Sequence, residues 1–346
     1  MDLAEVYSGV LKKLAKIDYG RVWPGFKLYP FSLYDENEAI IDGERTRRPK
    51  EFFANTFIEY GGRKIFIWSV EGKGFDGDFD VLAANLVHEA FHCFQFENNE
   101  KRFPSDLDLL ASPTTYEGIN AKYNENVLVS EMVSNGSYSD LGKLISLRKE
   151  RKKTIGDIIN QEYDVETIEG GAEYAGTMAL QQLSKAKYEQ RLRKYCALIK
   201  EVSPLQIDIR RMSYYLGALL LVVYEKNGID FHDFGEKTFY EIAESQTTPL
   251  PCLAIDHDSI KELVSEDLAK KKASIENFIS NAKELVKTDG VICGYDPMNM
   301  IRYKNYVLCS HFVFLAAGGK EVSLMKPTLL ELSKGSNQTI TGYYTN

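Results

Sequence analysis

Apolar positions recur at helical spacing through "LAEVYSGVLKKLAKI" (3–17), which predicts a short amphipathic helix. From about 21 to 75 the pattern changes. "FKLYPFSLY" (26–34), "EAIIDG" (38–43) and "RKIFIWSV" (63–70) are β-branched and aromatic and are separated by turn formers, "YGG" before the last among them, so strands are expected. Helical periodicity starts at 79 and holds to about 287, through "FDVLAANLVHEAFHCFQFE", "SDLGKLISLRKERKKTIGDII", "VETIEGGAEYAGTMALQQLSK", "IRRMSYYLGALLLVVYEKNG" and "DSIKELVSEDLAKKKASIENFISNAKELVKTDG". Asp76, Asp78 and Asp80 offer caps for the first of these, and Asn227-Gly228 closes the fourth. After Gly290 the runs are again of β type: "NYVLCSHFVFLA", "KEVSLMKPTLLELS" and "QTITGYY". The pattern predicts an α+β protein. A helical body with a small N-terminal sheet spans 1–287, and a β-rich segment occupies 288–346.

Composition narrows the partners. The 346 residues can bury a large core, and 42 basic against 50 acidic residues give a net charge of −8. No run of Lys and Arg is interleaved with aromatics, which points away from nucleic acid. The most basic stretches, 148–153 and 187–194, read as solvated helix faces. Five cysteines, at 93, 196, 252, 293 and 309, form no Cys-x-x-Cys and are odd in number, as expected of reduced thiols in a cytoplasmic protein. The N-terminus has no apolar signal-peptide core, and the longest apolar runs (216–224 and 312–319) are too short to span a bilayer.

The chemistry concentrates in "LVHEAFHCFQFE" (86–97), which contains His88-Glu89-x-x-His92. Residues four apart on a helix lie nearly above one another, so both imidazoles can aim at one point. Zinc accepts two such nitrogens and, in catalytic sites, keeps a position for water. Glu89 lies ~100° further round the helix, where its carboxylate can take a proton from water activated at the metal. Two of only five histidines fall at this spacing, on a helix with apolar flanks that would bury them at a cost without a partner.

A third ligand is needed. The longer motif with a glycine and a third histidine fails, because Gln95 and Asn98 stand at those places. A carboxylate on a second helix is expected instead. "IEGGAEYAG" (168–176) is the leading candidate, with Glu97, Glu131, Glu162 and Asp164 as alternatives.

Glu169-Gly-Gly-Ala-Glu173-Tyr174, following His-Glu-x-x-His, resembles the Glu-Gly-x-Ala-x-Tyr of the aminopeptidase N family, gluzincin-type zinc metallopeptidases. The resemblance covers about 63–228 and implies a zincin-like fold with Glu169 as third zinc ligand. It also implies that Glu173, one turn on, accepts the ring N–H of a ligating histidine. The small residues 170–172 are expected to let this helix approach the His-Glu-x-x-His helix. The interval from His92 to Glu169 is longer than in that family, and an inserted helical segment at about 103–160 is expected to fill it.

"YYLGALLLVVYEKNG" (214–228) resembles the Tyr-x-x-Gly helix that supplies an oxyanion donor in the same family, which implies that role for Tyr214, with Tyr215 as its rival. The family's Gly-x-Met-Glu-Asn strand, which holds a substrate's free amino group, has no counterpart. The expected function is therefore a zinc-dependent peptidase with Glu89 as general base and an extended peptide substrate lying along 63–70. A zinc hydrolase of a non-peptide amide or ester, and a metal-binding interaction module without turnover, are the alternatives.

Overall fold

The computed structural model describes residues 2–345. Helix α1 (Leu3–Leu14) buries Leu3, Val6, Val10 and Leu14, one stripe at helical spacing, and a one-turn helix α2 (Tyr19–Val22) follows. Five strands form the first sheet: β1 (Phe31–Tyr34), β2 (Glu38–Ile41), β3 (Glu44–Arg47), β4 (Thr56–Tyr60) and β5 (Arg63–Ser69), in the order β3-β2-β1-β5-β4. β1 runs parallel to β5, and the other pairs are antiparallel. Alternation along β5 feeds two cores. Phe66 and Trp68 face the main core, while Ile65 and Ile67 pack with Tyr34 and Phe52 on the other side. The β4–β5 hairpin turns at Gly61 and Gly62, both at positive φ (59° and 74°), as a tight two-residue turn requires.

The helical body comprises α3 (Phe79–Glu97), α4 (Asp106–Leu110), α5 (Tyr116–Asn135), α6 (Leu141–Ile155), α7 (Ile159–Leu183), α8 (Lys185–Lys200), α9 (Ile209–Lys226), α10 (Phe239–Gln246) and α11 (Asp258–Asn281). α3 and α9 flank α7, and the sheet lies against α3 through β4 and β5. α5 and α6 fill the interval between the two parts of the motif.

The second sheet holds β6 (Glu284–Tyr295), β7 (Met300–Tyr303), β8 (Tyr306–Cys309), β9 (Val313–Ala317), β10 (Lys320–Leu324), β11 (Thr328–Leu332) and β12 (Thr339–Thr345), ordered β10-β9-β6-β12-β11-β8-β7. One face packs on α11 through Ile275, Phe278 and Leu329, and the other on α4 through Leu107 and Leu330.

Four elements differ from the sequence reading. The last helix stops at Asn281 instead of running on to 290, because Glu284–Lys287 pair with the edge of β12, and a long-range ladder outweighs local helical preference. The strand expected over 26–34 forms only from Phe31, where pairing with β2 and β5 begins. β3 was not foreseen, since Glu44–Arg47 is exposed throughout and carries no apolar alternation, and β4, which pairs with β5 across Gly61-Gly62, was not singled out as a strand.

The basic run 148–153 is not a solvated face throughout. Arg148 and Arg151 are buried, and with Lys122 they meet Glu125, Glu162 and Glu166 in an ion network linking α5, α6 and α7. Arg148 forks onto Glu166 (2.7 and 2.8 Å), and Arg151 bridges Glu125 and Glu162 (2.6 and 2.8 Å). All five cysteines are free. No helix among the described residues is long and apolar enough to cross a membrane.

Candidate metal centre

α3 starts where Asp78, rather than its acidic neighbours, accepts the N–H groups of Asp80 and Val81. Its apolar residues hold it between the sheet and α7, so His88 and Glu89 are buried. α7 comes close because of Gly176, where a methyl group would stand 2.5 Å from the Ala84 carbonyl oxygen and 3.5 Å from His88 Cβ. Gly170, expected to serve this contact, serves another. A methyl group there would lie 2.6 Å from Gly217 Cα, so the two glycines make the α7–α9 crossing. Gly217 therefore seats α9 on α7, not on the His-Glu-x-x-His helix. The crossing brings three helices to one point.

At that point His88, His92 and Glu169 present ligand atoms within 4.8 Å of one another. The two Nε2 atoms are 3.2 Å apart, and Glu169 Oε2 lies 3.2 Å from that of His92 and 3.8 Å from that of His88. Each Nδ1 is tied to an acceptor. His88 Nδ1 is 3.0 Å from Glu173 Oε2, and His92 Nδ1 is 2.8 Å from Gln95 Oε1. The Gln95 amide is oriented by its own donation to the Ile168 carbonyl at 2.9 Å, so oxygen faces the ring. Both Nδ1 atoms thus carry hydrogen, and in the neutral rings both Nε2 atoms are lone pairs pointing together.

Glu169 Oε2 is buried and has no hydrogen-bond partner. Lone pairs on two nitrogens and an orphaned carboxylate oxygen are a donor set for a cation, and the imidazole and carboxylate types suit zinc. The surrounding charge agrees. Four carboxyl groups, on Glu89, Glu169, Glu173 and Asp106, gather here against the guanidinium groups of Arg191 and Arg210, and burial pushes Glu89 and Asp106 up toward their neutral forms, a shift that a cation at the point of convergence would oppose.

Comparison of the chain with protein-family models, curated proteins and solved structures finds no match.

The pKa shifts follow from the burial of these charges. Burial pushes Glu89 up, with Glu169 and Glu173 adding to it and the two histidines opposing. Burial disfavours the charged form of His88, yet Glu169 and Glu173 prevail and raise it to about 10. Glu173 is held below its usual range, since the His88 hydrogen bond and Arg191 overcome burial.

Tyr214 lies at the site. Its ring stacks on His88 with centroids 5.8 Å apart, and burial followed by Glu169 pushes its hydroxyl far up, so it is a protonated donor at neutral pH. Tyr215 instead packs its ring on Tyr195, 4.9 Å away, behind Glu173. The other acids stand apart from the cluster. Glu97 meets Lys27 and Tyr29, Glu162 meets Lys122 and Arg151, Glu131 is exposed, and Asp164 is pushed up to about 6 by burial and the neighbouring Glu241.

Four supporting residues were not singled out from the sequence for the roles they take here. Gln95 is one helical turn beyond His92. Tyr195 donates to Glu173 and Arg191 approaches it to 3.7 Å, the arginine from the stretch of α8 read as a solvated face and the tyrosine from just beyond it. Their i, i+4 spacing was the available signal. Arg210 reaches Glu169 Oε1 at 2.7 Å and was missed for want of any local signal.

The strand expected to carry the substrate, 63–70, is β5, an interior strand. β1 pairs with Phe66–Ser69 on one side and β4 with Arg63–Ile67 on the other, so β5 has no open edge to which a further strand could add along its length. The free edge beside α3 belongs to β4, whose Phe57 meets Phe96 of α3 with centroids 5.6 Å apart.

Proposed function

We propose that the chain is a zinc-dependent peptidase of the gluzincin type, with a zincin-like arrangement of sheet and helices around the metal. The convergence of His88 Nε2, His92 Nε2 and the orphaned Glu169 Oε2 beside Glu89 carries this reading. Zinc in this donor set would polarise a carbonyl and acidify a water molecule. Glu89 is the proton carrier. Its raised basicity suits it to take a proton from water and deliver it to the leaving amine. Tyr214 donates a hydrogen bond to the substrate oxygen as negative charge develops there. Glu173 and Gln95 keep the two imidazoles in the tautomer and orientation that ligation needs.

The open edge of β4 beside the metal-bearing helix supports an extended peptide over a small amide or ester, because an edge strand offers main-chain hydrogen bonds to a chain lying along it. The test is a substrate panel on the zinc-loaded protein beside Glu89→Gln. Peptides should be cleaved, with Glu89→Gln keeping metal and fold and losing ~10²–10⁴-fold in rate. Turnover of small esters or amides with peptides left intact would replace the peptidase reading. Wild-type turnover by Glu89→Gln would end the mechanism.

A further inference from the structure

A carboxylate can ligate with one oxygen or with two, and the choice decides how many positions remain for chemistry. In Glu169 the two oxygens have different surroundings. Oε1 receives Arg210 Nη2 at 2.7 Å, a charge-assisted bond. Oε2 has no hydrogen bond, is buried, and lies among the two Nε2 atoms. Arg210 is itself held from the far side, since its Nη1 meets Asp106 of α4 and its aliphatic stem rises from the first turn of α9. Its side chain is only 14% exposed, so neither contact is diluted by solvent. Arg210 also stands four residues before Tyr214 and so shares its face of α9. One helix face therefore delivers both the guanidinium and the phenol to Glu169.

We propose that Arg210, anchored by Asp106, is a positioning residue that makes Glu169 a one-oxygen ligand and so keeps a coordination position free for substrate chemistry. This rests on the metal reading above. A fork is required, because the guanidinium engages two carboxylates on opposite sides with separate nitrogens, which an ammonium cannot reproduce with the same geometry. The role also accounts for α4. Its Leu107 packs into the core of the second sheet, so that sheet holds the helix whose Asp106 holds Arg210.

The probe is cobalt(II) alone, titrated into the full-length, metal-depleted chain and followed by visible absorption, with affinity measured against a chromophoric chelator. The wild-type protein should bind one cobalt with the intense bands of a four-coordinate ion. Arg210→Met should bind ~10–100-fold more weakly. Its bands should weaken toward those of a higher coordination number as Glu169 turns both oxygens to the metal. Arg210→Lys should recover part of the affinity but not the spectrum. Asp106→Asn should shift both readouts in the same direction by less, and it decides the matter if Arg210→Met does not fold. A folded Arg210→Met, or failing that Asp106→Asn, with wild-type spectrum and affinity would overturn the proposal. A wild-type protein that takes up no cobalt would remove the metal reading and this inference with it, an outcome distinct from the previous one.

Discussion

The Nε2 atoms of His88 and His92 face each other at 3.2 Å, while the opposite nitrogen of each ring is fixed on Glu173 or Gln95. Two lone pairs cannot sit so close without a positive charge between or upon them. In the metal-free protein that charge is a proton, and His88, raised to about 10 by its two glutamates against the effect of burial, carries it.

Metal uptake at the proposed site should therefore expel a proton at neutral pH. Apparent zinc affinity should rise ~10-fold per pH unit below about 10, and calorimetry in buffers of different ionisation heat should show about one proton released. The metal-free protein should show the matching linkage. The pairing of His88 is present in full below 6.5, and its contribution to stability is lost as pH rises through about 10. Uptake independent of pH between 6 and 9 would contradict the protonation of His88 in the metal-free protein (~1 proton per metal).

The roles of the two acids on α7 separate by severity. Glu169→Ala removes a proposed ligand and should abolish tight zinc binding. Glu173→Ala only frees the His88 ring and should weaken binding ~10–100-fold. Zinc titration of both variants checks this, and the reverse order would exchange the two assignments.

Tyr214 faces the site and Tyr215 faces Tyr195. Tyr214→Phe deletes a hydroxyl and keeps the ring, so kcat should fall ~10²–10³-fold with KM and melting temperature little changed. Tyr215→Phe should stay near wild type in steady-state kinetics. A large kcat loss in Tyr215→Phe alone would move the donor role there.

The ion network between α5, α6 and α7 predicts unequal costs for its cations. Arg151 bridges two buried glutamates, and Arg151→Met leaves Glu125 with only Arg148 at 3.5 Å and Glu162 with only Lys122, at ~3–5 kcal/mol. Burial and its arginine neighbours push Lys122 down to about 7, so it is only partly charged at neutral pH and Lys122→Met should cost clearly less. Urea denaturation of the two variants measures the difference, and equal losses would show that Lys122 is fully charged in place.

Much of this protein follows from local rules that need no partner. The caps at Asp78 and Gly228, the alternation of Arg63–Ser69, the helical spacing of His88 and His92 and the turn that separates Glu169 from Glu173 are set by backbone geometry within a few residues. These features place the candidate ligands on the right faces of the right elements. What lies between distant segments was not readable in the same way. Nothing near Glu284–Lys287 announces a strand, because the instruction comes from the edge of β12. Nothing near Gly170 says that it meets Gly217, or that the space for α3 comes from Gly176. Charged residues on helices read as solvated until packing removes the water, which is why Arg148, Arg151 and Arg191 looked like surface and prove to be buried or close partners of buried glutamates. Periodicity states which way a side chain points on its own element. Only the folded chain supplies the group it points at, and for Arg210 those groups, Asp106 and Glu169, lie 104 and 41 residues away.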